Sequence, residues 1–152
     1  MVSLLIVRPH EDSIRTRVLA LLEKAGLSTQ NPQVVPPGTS DDEVLLAVTR
    51  LAPSALLIPL HAHHDADKRL VNGLTVAQRI EHECPALARC PIFVPTTPMG
   101  MATLELALAR PPGEGGLSEG LEARLLPLPI DELESPELLS RTREHLGRFP
   151  AL

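Results

Sequence analysis

The sequence has no tryptophan and no tyrosine, and Phe93 and Phe149 are its only phenylalanines. Proteins that bind single-stranded nucleic acid usually stack the bases on aromatic side chains, and this chain lacks such a platform. Its 14 Lys and Arg residues form no basic cluster, and the formal net charge of −5 disfavours binding to a phosphate backbone. We therefore expect no nucleic-acid partner.

Cysteines and long apolar runs are also scarce. Cys84 and Cys90 are too few for a disulfide framework, so we expect two reduced, partly buried thiols. The apolar run at residues 3–7 is far too short to cross a bilayer, and the segment around it lacks the features of a signal peptide. These observations predict a cytoplasmic protein without a membrane partner.

Short apolar runs alternate with helical patterns along the chain, in the order strand then helix, five times. A capping box from Ser40 to Glu43 marks the start of the second helix, and Gly26 is placed to end the first. The alternation predicts one doubly wound α/β domain over residues 1–152, with a five-stranded parallel sheet. The predicted strands lie at residues 3–7, 31–37, 55–60, 90–95 and 123–129, and expanded loops are expected at about 61–72 and 111–120.

Prolines restrict where the fifth strand can lie. Pro127 and Pro129 cannot donate hydrogen bonds to a neighbouring strand, so this strand fits best at an edge of the sheet. The segment "DELESPELLSRTREHLGRF" after it predicts a closing helix that begins at Asp131 and ends at Gly147.

Five segments occur in the order of the motifs of one protein family. They are "LLIV" followed by "HEDSIRTRVLALLEKAGL", "APSALLIPL", "NGLTVAQRIE", "CPIFVPTT" and "LLPLPIDEL". Together they resemble the receiver domain of bacterial response regulators over essentially the whole chain. The resemblance implies a flavodoxin-like fold and a role in a two-component signalling pathway.

The resemblance also implies that the phosphorylation site is degenerate. A working receiver binds Mg²⁺ with two acids after its first strand, phosphorylates an Asp that ends the third, and contacts the phosphoryl group with a Thr or Ser and a Lys. Here Arg8 and Pro9 occupy the acid positions, Pro59 the acceptor position and Leu128 the lysine position, and only Thr96 is retained. Since Mg²⁺ needs oxygen ligands and proline cannot accept a phosphoryl group, we expect no phosphorylation and no cofactor.

The predicted fourth helix, "MGMATLELALARPP", is unusually apolar, and its large side chains do not all fit on one inward stripe. Receivers commonly dimerise or bind an output through the face built from the fourth helix, the fifth strand and the fifth helix. The resemblance therefore implies an interaction face here, although packing of an unusually wide core is the alternative. Its candidate residues are Met99, Met101, Leu104, Leu106, Leu108 and Leu125, the last at the position of the family's aromatic switch.

The stretch "LLIPLHAHHDAD" resembles a second family motif. His61, His63 and Asp65 match "x-L-x-T-H-x-H-x-D-H", the zinc-ligand motif of the metallo-β-lactamase fold, although Ala66 replaces its last histidine. That fold needs further His and Asp ligands downstream, and the only later histidines here, His82 and His145, fall within predicted helices. It also begins with antiparallel hairpins, whereas this sequence predicts a strand followed directly by a helix. We interpret the stretch as a solvated loop, with a partner contact and a metal site as alternatives.

We therefore expect a pseudo-receiver without enzymatic activity: a phosphorylation-independent adaptor or regulator that acts through protein–protein contacts, with a possible homodimer. One alternative is a metal-dependent hydrolase that uses His61, His63 and Asp65. Another is an enzyme with its substrate in the cleft near Arg8, Thr96 and His61. No residue is assigned a catalytic role.

Overall fold

The structure is a computed structural model that describes residues 4–9, 12–60, 63–64, 70–71, 73–84, 90–111 and 117–149. Each buried strand of its main sheet is a short apolar run of the kind that the sequence predicts, because both faces of the sheet are covered. The strands are β1 (Leu4–Val7), β2 (Gln33–Val35), β3 (Ala55–Leu57), β4 (His63–His64), β5 (Leu70–Val71), β6 (Ile92–Thr96) and β7 (Leu125–Pro129).

Five of the described strands form one all-parallel sheet in the order β2-β1-β3-β6-β7. This order is that of flavodoxin-like doubly wound folds, so the predicted fold class is confirmed. The strand β7 lies at an edge, as its prolines predict, and it pairs with β6 so that Pro127 lies beside Val94 and Pro129 beside Thr96.

Six helices are described, and they cover the two faces of the sheet. Helices α1 and α6 pack on a cluster that includes Leu4, Ile6 and Phe93. The other helices pack on a second cluster that includes Leu5 and Val94. This cluster lies on the opposite face of the sheet, because successive side chains of a strand alternate between its faces. The helices are α1 (Asp12–Lys24), α2 (Asp41–Leu51), α3 (Gly73–Glu83), α4 (Pro98–Ala109), α5 (Glu119–Arg124) and α6 (Pro136–Gly147).

Two predicted helix ends have the expected local chemistry. The Ser40 hydroxyl accepts a hydrogen bond from the Glu43 backbone N–H at 3.2 Å and caps α2. Gly26 follows α1 with a φ of 107°, a conformation that glycine adopts without strain. The closing helix starts later than predicted, because a 3₁₀ turn occupies Ile130–Glu132 and Ser135 caps α6.

Both predicted loops contain secondary structure. Within residues 61–72, β4 and β5 pair in antiparallel fashion as a small hairpin, with His63 beside Val71. The end of the predicted loop at 111–120 starts α5, which Ser118 caps by accepting a hydrogen bond from the Leu121 N–H at 3.1 Å.

Candidate functional site

The carboxyl ends of β1 and β3 form the place where a doubly wound sheet usually binds its ligand. Helix α1 follows β1 and packs on one face of the sheet. Helix α3 is the first helix after β3, and it packs on the opposite face. The two connections diverge there and leave a crevice between the strand ends. Pro9 and Pro59 follow these two strands and both line the crevice, and Arg8 lies between the end of β1 and Pro9.

Arg8 lies at the first position of the crevice, but its guanidinium extends toward α2. The residue is only 2% exposed and has a φ of 49°. Its Nε and Nη2 donate to the Thr39 carbonyl oxygen at 3.0 and 2.7 Å, and Nη2 also donates to Asp41 Oδ1 at 2.7 Å. The end of β1 is therefore followed by a buried cation that is paired with a nearby carboxylate.

Three prolines close the crevice itself. Pro9, Pro59 and Pro95 meet where the three central strands β1, β3 and β6 end. The space that they enclose measures about 10 Å³, which is at most about the space of one water molecule. The remaining side chains around it are Ile6, Ile14, Arg15, Val18 and Leu57. Among the described residues, no carboxylate lines this space, and its volume leaves no room for a phosphoryl group with a hydrated cation.

The remaining two predicted positions, Thr96 and Leu128, contact opposite faces of the sheet. Pro95 and Thr96 are consecutive in β6, so their side chains lie on opposite faces of the sheet. The buried Thr96 hydroxyl donates to the Met101 sulfur at 3.7 Å, toward α4. Leu128 is fully buried in the cluster beneath α1 and α6. Leu128 is thus a core side chain and not part of a surface site.

The six residues of the predicted interaction face divide between core and surface. Leu104 and Leu125 are buried in the core, so they do not contribute to a surface. Met101 and Leu108 are half-buried. Met99 is 81% exposed and Leu106 is 62% exposed, and on the same side of α4 the small residue Ala102 is also exposed. Met99, Ala102 and Leu106 therefore form an exposed apolar row on α4, next to the exposed polar residues Thr103 and Glu105.

A cleft of about 410 Å³ lies beside this surface, where α4, the end of β7 and α6 meet. We call it the α4–α6 cleft. Its polar lining consists of Thr96, Thr97, Glu105, Asp131, Glu132 and Arg141, and its apolar lining of Pro98, Met101, Ala102 and Pro129. Three carboxylates face one guanidinium, so the cleft is net acidic.

Most of the predicted metal motif cannot be located. His61 and Asp65 lie outside the described residues, and His63 is described only as a backbone position of β4. Among the residues that the structure does describe, no three His, Cys, Asp or Glu side chains are close enough to hold a metal ion.

A buried polar group at the amino end of β7 was not predicted from the sequence. Arg124 donates from Nε to the Cys90 carbonyl oxygen at 2.8 Å, and its Nη1 forms an ion pair with Glu81. His145 donates from Nε2 to the Arg124 carbonyl oxygen at 2.8 Å, since a carbonyl only accepts. Burial lowers the pKa of His145, which keeps the imidazole neutral. These contacts join α3, α5 and α6 and have a structural role. In the sequence, Arg124 lies in the predicted fifth strand and His145 in the predicted closing helix, and neither residue type signals burial.

Comparison with known proteins does not assign a family. No protein-family model matches the chain, and no curated protein matches it at a significant level. Among the described helices, none is both long and apolar enough to cross a membrane.

Proposed function

We propose that the protein is a pseudo-receiver: a phosphorylation-independent adaptor or regulator that acts through protein–protein contacts in a bacterial signalling pathway. The observation that carries this proposal is the closed crevice at Pro9, Pro59 and Pro95, in a sheet with the strand order of flavodoxin-like folds. Doubly wound folds usually bind a ligand at this place, and here the described side chains offer neither the space nor the acids that phosphorylation requires. We therefore expect the protein to act through contacts between its surface and other proteins.

The apolar side of α4 supports a role in binding another protein. Exposed single apolar residues are normal on a protein surface, but Met99 and Leu106 are highly exposed and lie two turns apart on one side of one helix. Methionine adapts its shape to a partner. The closed crevice also weighs against an enzyme with its substrate near Arg8 and Thr96, since these side chains extend in different directions.

Phosphotransfer gives the first test. The purified protein is incubated with acetyl phosphate and Mg²⁺, next to an ordinary receiver domain as positive control, and its intact mass is measured. We expect no mass increase, because none of the described residues that line the crevice carries a carboxylate. An increase of one phosphoryl group on most molecules would overturn the proposal.

Metal content separates the adaptor from the hydrolase. The protein is purified without a histidine tag, and its zinc is measured by elemental analysis before and after a double substitution, His61→Ala and His63→Ala. Under the proposal, metal does not accompany the protein in stoichiometric amount. Stoichiometric zinc that the double substitution removes would favour the hydrolase.

Contact with a partner is tested by photo-crosslinking in the cells that produce the protein. A photoreactive amino acid replaces Leu106 on α4, and in a matched experiment it replaces Leu46 on α2, which is 70% exposed. We expect a discrete crosslinked species from position 106 that is absent from position 46. Identical patterns from the two positions would contradict a role for α4 in binding.

A further inference from the structure

The apolar side of α4 and the α4–α6 cleft are adjacent, and their chemistry restricts what can bind there. Ala102 belongs to both: it lies on the exposed side of α4 between Met99 and Leu106, and it lines the cleft. A segment lying along α4 would therefore contact an apolar row and, on one flank, the charged groups of the cleft.

The charged groups of the cleft are available for a ligand. Within the described part of the chain, Glu105, Glu132 and Arg141 form no ion pair, and all three are exposed. Asp131 lies close enough to Arg17 to contribute to the raised pKa of that guanidinium, so part of its charge is compensated. Two uncompensated carboxylates and one guanidinium remain.

Thr96 provides an independent observation at the floor of the cleft. The residue is only 1% exposed, yet within the described residues the one hydrogen bond of its hydroxyl goes to the Met101 thioether, at 3.7 Å. Sulfur of this kind is a weak acceptor. A buried hydroxyl with so weak a partner, at the bottom of an open cleft of about 410 Å³, can make a better hydrogen bond to a group that enters the cleft.

We propose that this combined surface binds a basic amphipathic helix of a partner protein, with its apolar side on Met99, Ala102 and Leu106 and its Lys or Arg side chains toward Glu105 and Glu132. The inference rests on the proposed adaptor function and names the partner class. An acidic segment would complement the cleft less well, because the carboxylates of the cleft outnumber its one guanidinium, that of Arg141. Helix-in-groove binding of this kind uses residues spaced three and four apart, which matches the row on α4.

Synthetic peptides provide the test, because the partner is not identified. The probe is a fluorescent Lys/Leu peptide of about 18 residues, or five turns, with its leucines on one side of the helix. A Glu/Leu peptide of the same pattern and a Lys/Leu peptide of scrambled order are the comparisons. Fluorescence anisotropy then gives the Kd of each peptide for the full-length protein.

Two matched pairs of variants locate the binding. Glu105→Gln with Glu132→Gln changes the cleft, whereas Glu119→Gln with Glu122→Gln removes the same charge from α5, which leads into the opposite end of β7. Leu106→Ser changes the apolar row, and Leu46→Ser is its control on α2. Circular dichroism and thermal melting establish that each variant is folded.

We expect the patterned Lys/Leu peptide to bind at least about tenfold more tightly than the other two peptides. The cleft variant should weaken binding by about three- to tenfold and reduce its dependence on salt, whereas the α5 variant leaves both nearly unchanged. Leu106→Ser should weaken binding by a similar factor, and Leu46→Ser should not.

Three results would overturn the inference. Equal losses in the cleft and α5 variants would mean a general attraction of a basic peptide to an acidic protein. Tighter binding of the Glu/Leu peptide, lost in Leu106→Ser, would remove the basic partner but leave the adaptor function in place. A homodimer in sedimentation velocity that Leu106→Ser disrupts, and Leu46→Ser does not, would assign the surface to a second copy of the chain. The adaptor proposal itself fails separately, through phosphorylation or stoichiometric zinc.

Discussion

The guanidinium of Arg8 and the carboxylate of Asp41 form a buried ion pair, with 2.7 Å between Nη2 and Oδ1, that joins the end of β1 to the first turn of α2. Arg8 also donates to the Thr39 carbonyl oxygen just before that helix. Within the described residues its Nη1 has no hydrogen-bond partner, so the Asp41 charge is the main compensation for a buried cation. The pair therefore ties the residue after β1 to the start of α2.

Removing Asp41 should therefore be costly. We expect Asp41→Ala to lower the free energy of unfolding by about 3 kcal/mol, because it leaves the Arg8 charge buried and unpaired. Asp42→Ala is the control: Asp42 is in the same turn of α2 and pairs with Arg79 at 2.8 Å, but its side chain is exposed. That change should cost at most about 1 kcal/mol. Urea denaturation at neutral pH measures both, and equal small losses would contradict the account of Arg8.

A second prediction concerns the start of α3, which lies directly against the end of β3. A Cβ atom added at Gly73 would lie 2.3 Å from the Pro59 carbonyl oxygen and 3.0 Å from Ile58 Cγ2. We expect Gly73→Ala to destabilise the protein by about 1–3 kcal/mol, since the backbone must move to relieve the overlap.

Gly147 provides the matched comparison for Gly73. It ends α6, and a Cβ there would meet no heavy atom within 4 Å. Gly147→Ala should be neutral or stabilising by up to about 1 kcal/mol, because alanine favours the helix. Thermal denaturation distinguishes the two variants. A Gly73→Ala protein as stable as the wild type would mean that α3 packs less closely on Pro59.

The third prediction is a pH dependence of stability that arises from His145. Burial lowers the pKa of His145 in the folded protein below its ordinary value of 6.5, and Arg148 adds to this. The unfolded chain therefore takes up the proton first, so the contribution of His145 is fully present above pH 6.5. It is lost as the pH falls toward the lower folded pKa, with a slope of at most about 1.4 kcal/mol per pH unit.

Denaturation curves between pH 5 and 8 test this dependence. His145→Gln should reduce the slope of stability against pH below 6.5, in addition to any loss from the contacts of the ring with Phe93 and Phe149. His82→Gln, which changes an exposed histidine near the end of α3, is measured beside it. An unchanged slope in His145→Gln would assign the acid sensitivity to other groups.

The fold could be predicted because its signals are local. The apolar strands, the Ser40 cap and the prolines of β7 each depend on neighbours in sequence, and together they fix the element order and the edge strand. Helix α5 was missed because Gly120 lowers helix propensity. In the structure a Cβ at Gly120 would lie 2.5 Å from Glu81 Oε1, the end of a flexible side chain on α3.

The candidate site could be predicted only as a set of positions. The resemblance assigns Pro9 and Pro59 to the site, but the closure of the crevice also needs Pro95, a proline within a central strand, where this residue is uncommon. The direction of the Arg8 side chain depends on Asp41, 33 residues away in the chain. The cleft between α4 and α6 likewise depends on tertiary packing, which no sequence spacing reveals.

The last prediction concerns Cys90. Burial raises the pKa of its thiol to about 11, against a smaller opposite effect of Arg124, and its sulfur donates to the Pro91 carbonyl oxygen at 3.5 Å. The thiolate is the reactive form, so at pH 8 we expect Cys90 in the folded protein to react with a disulfide reagent at least about 100-fold more slowly than in the unfolded chain.

A Cys84→Ser variant makes Cys90 the only thiol and isolates this reaction. The serine can keep a hydrogen bond with Thr49, which lies 3.6 Å from the Cys84 sulfur, so the fold should tolerate the change. The rate is measured by absorbance with and without denaturant, and the native rate should rise steeply between pH 8 and the pKa of about 11. A native rate close to that of the unfolded chain at pH 8 would mean that the start of β6 opens readily, and that the Arg124 contact with Cys90 does not hold that end of the sheet closed.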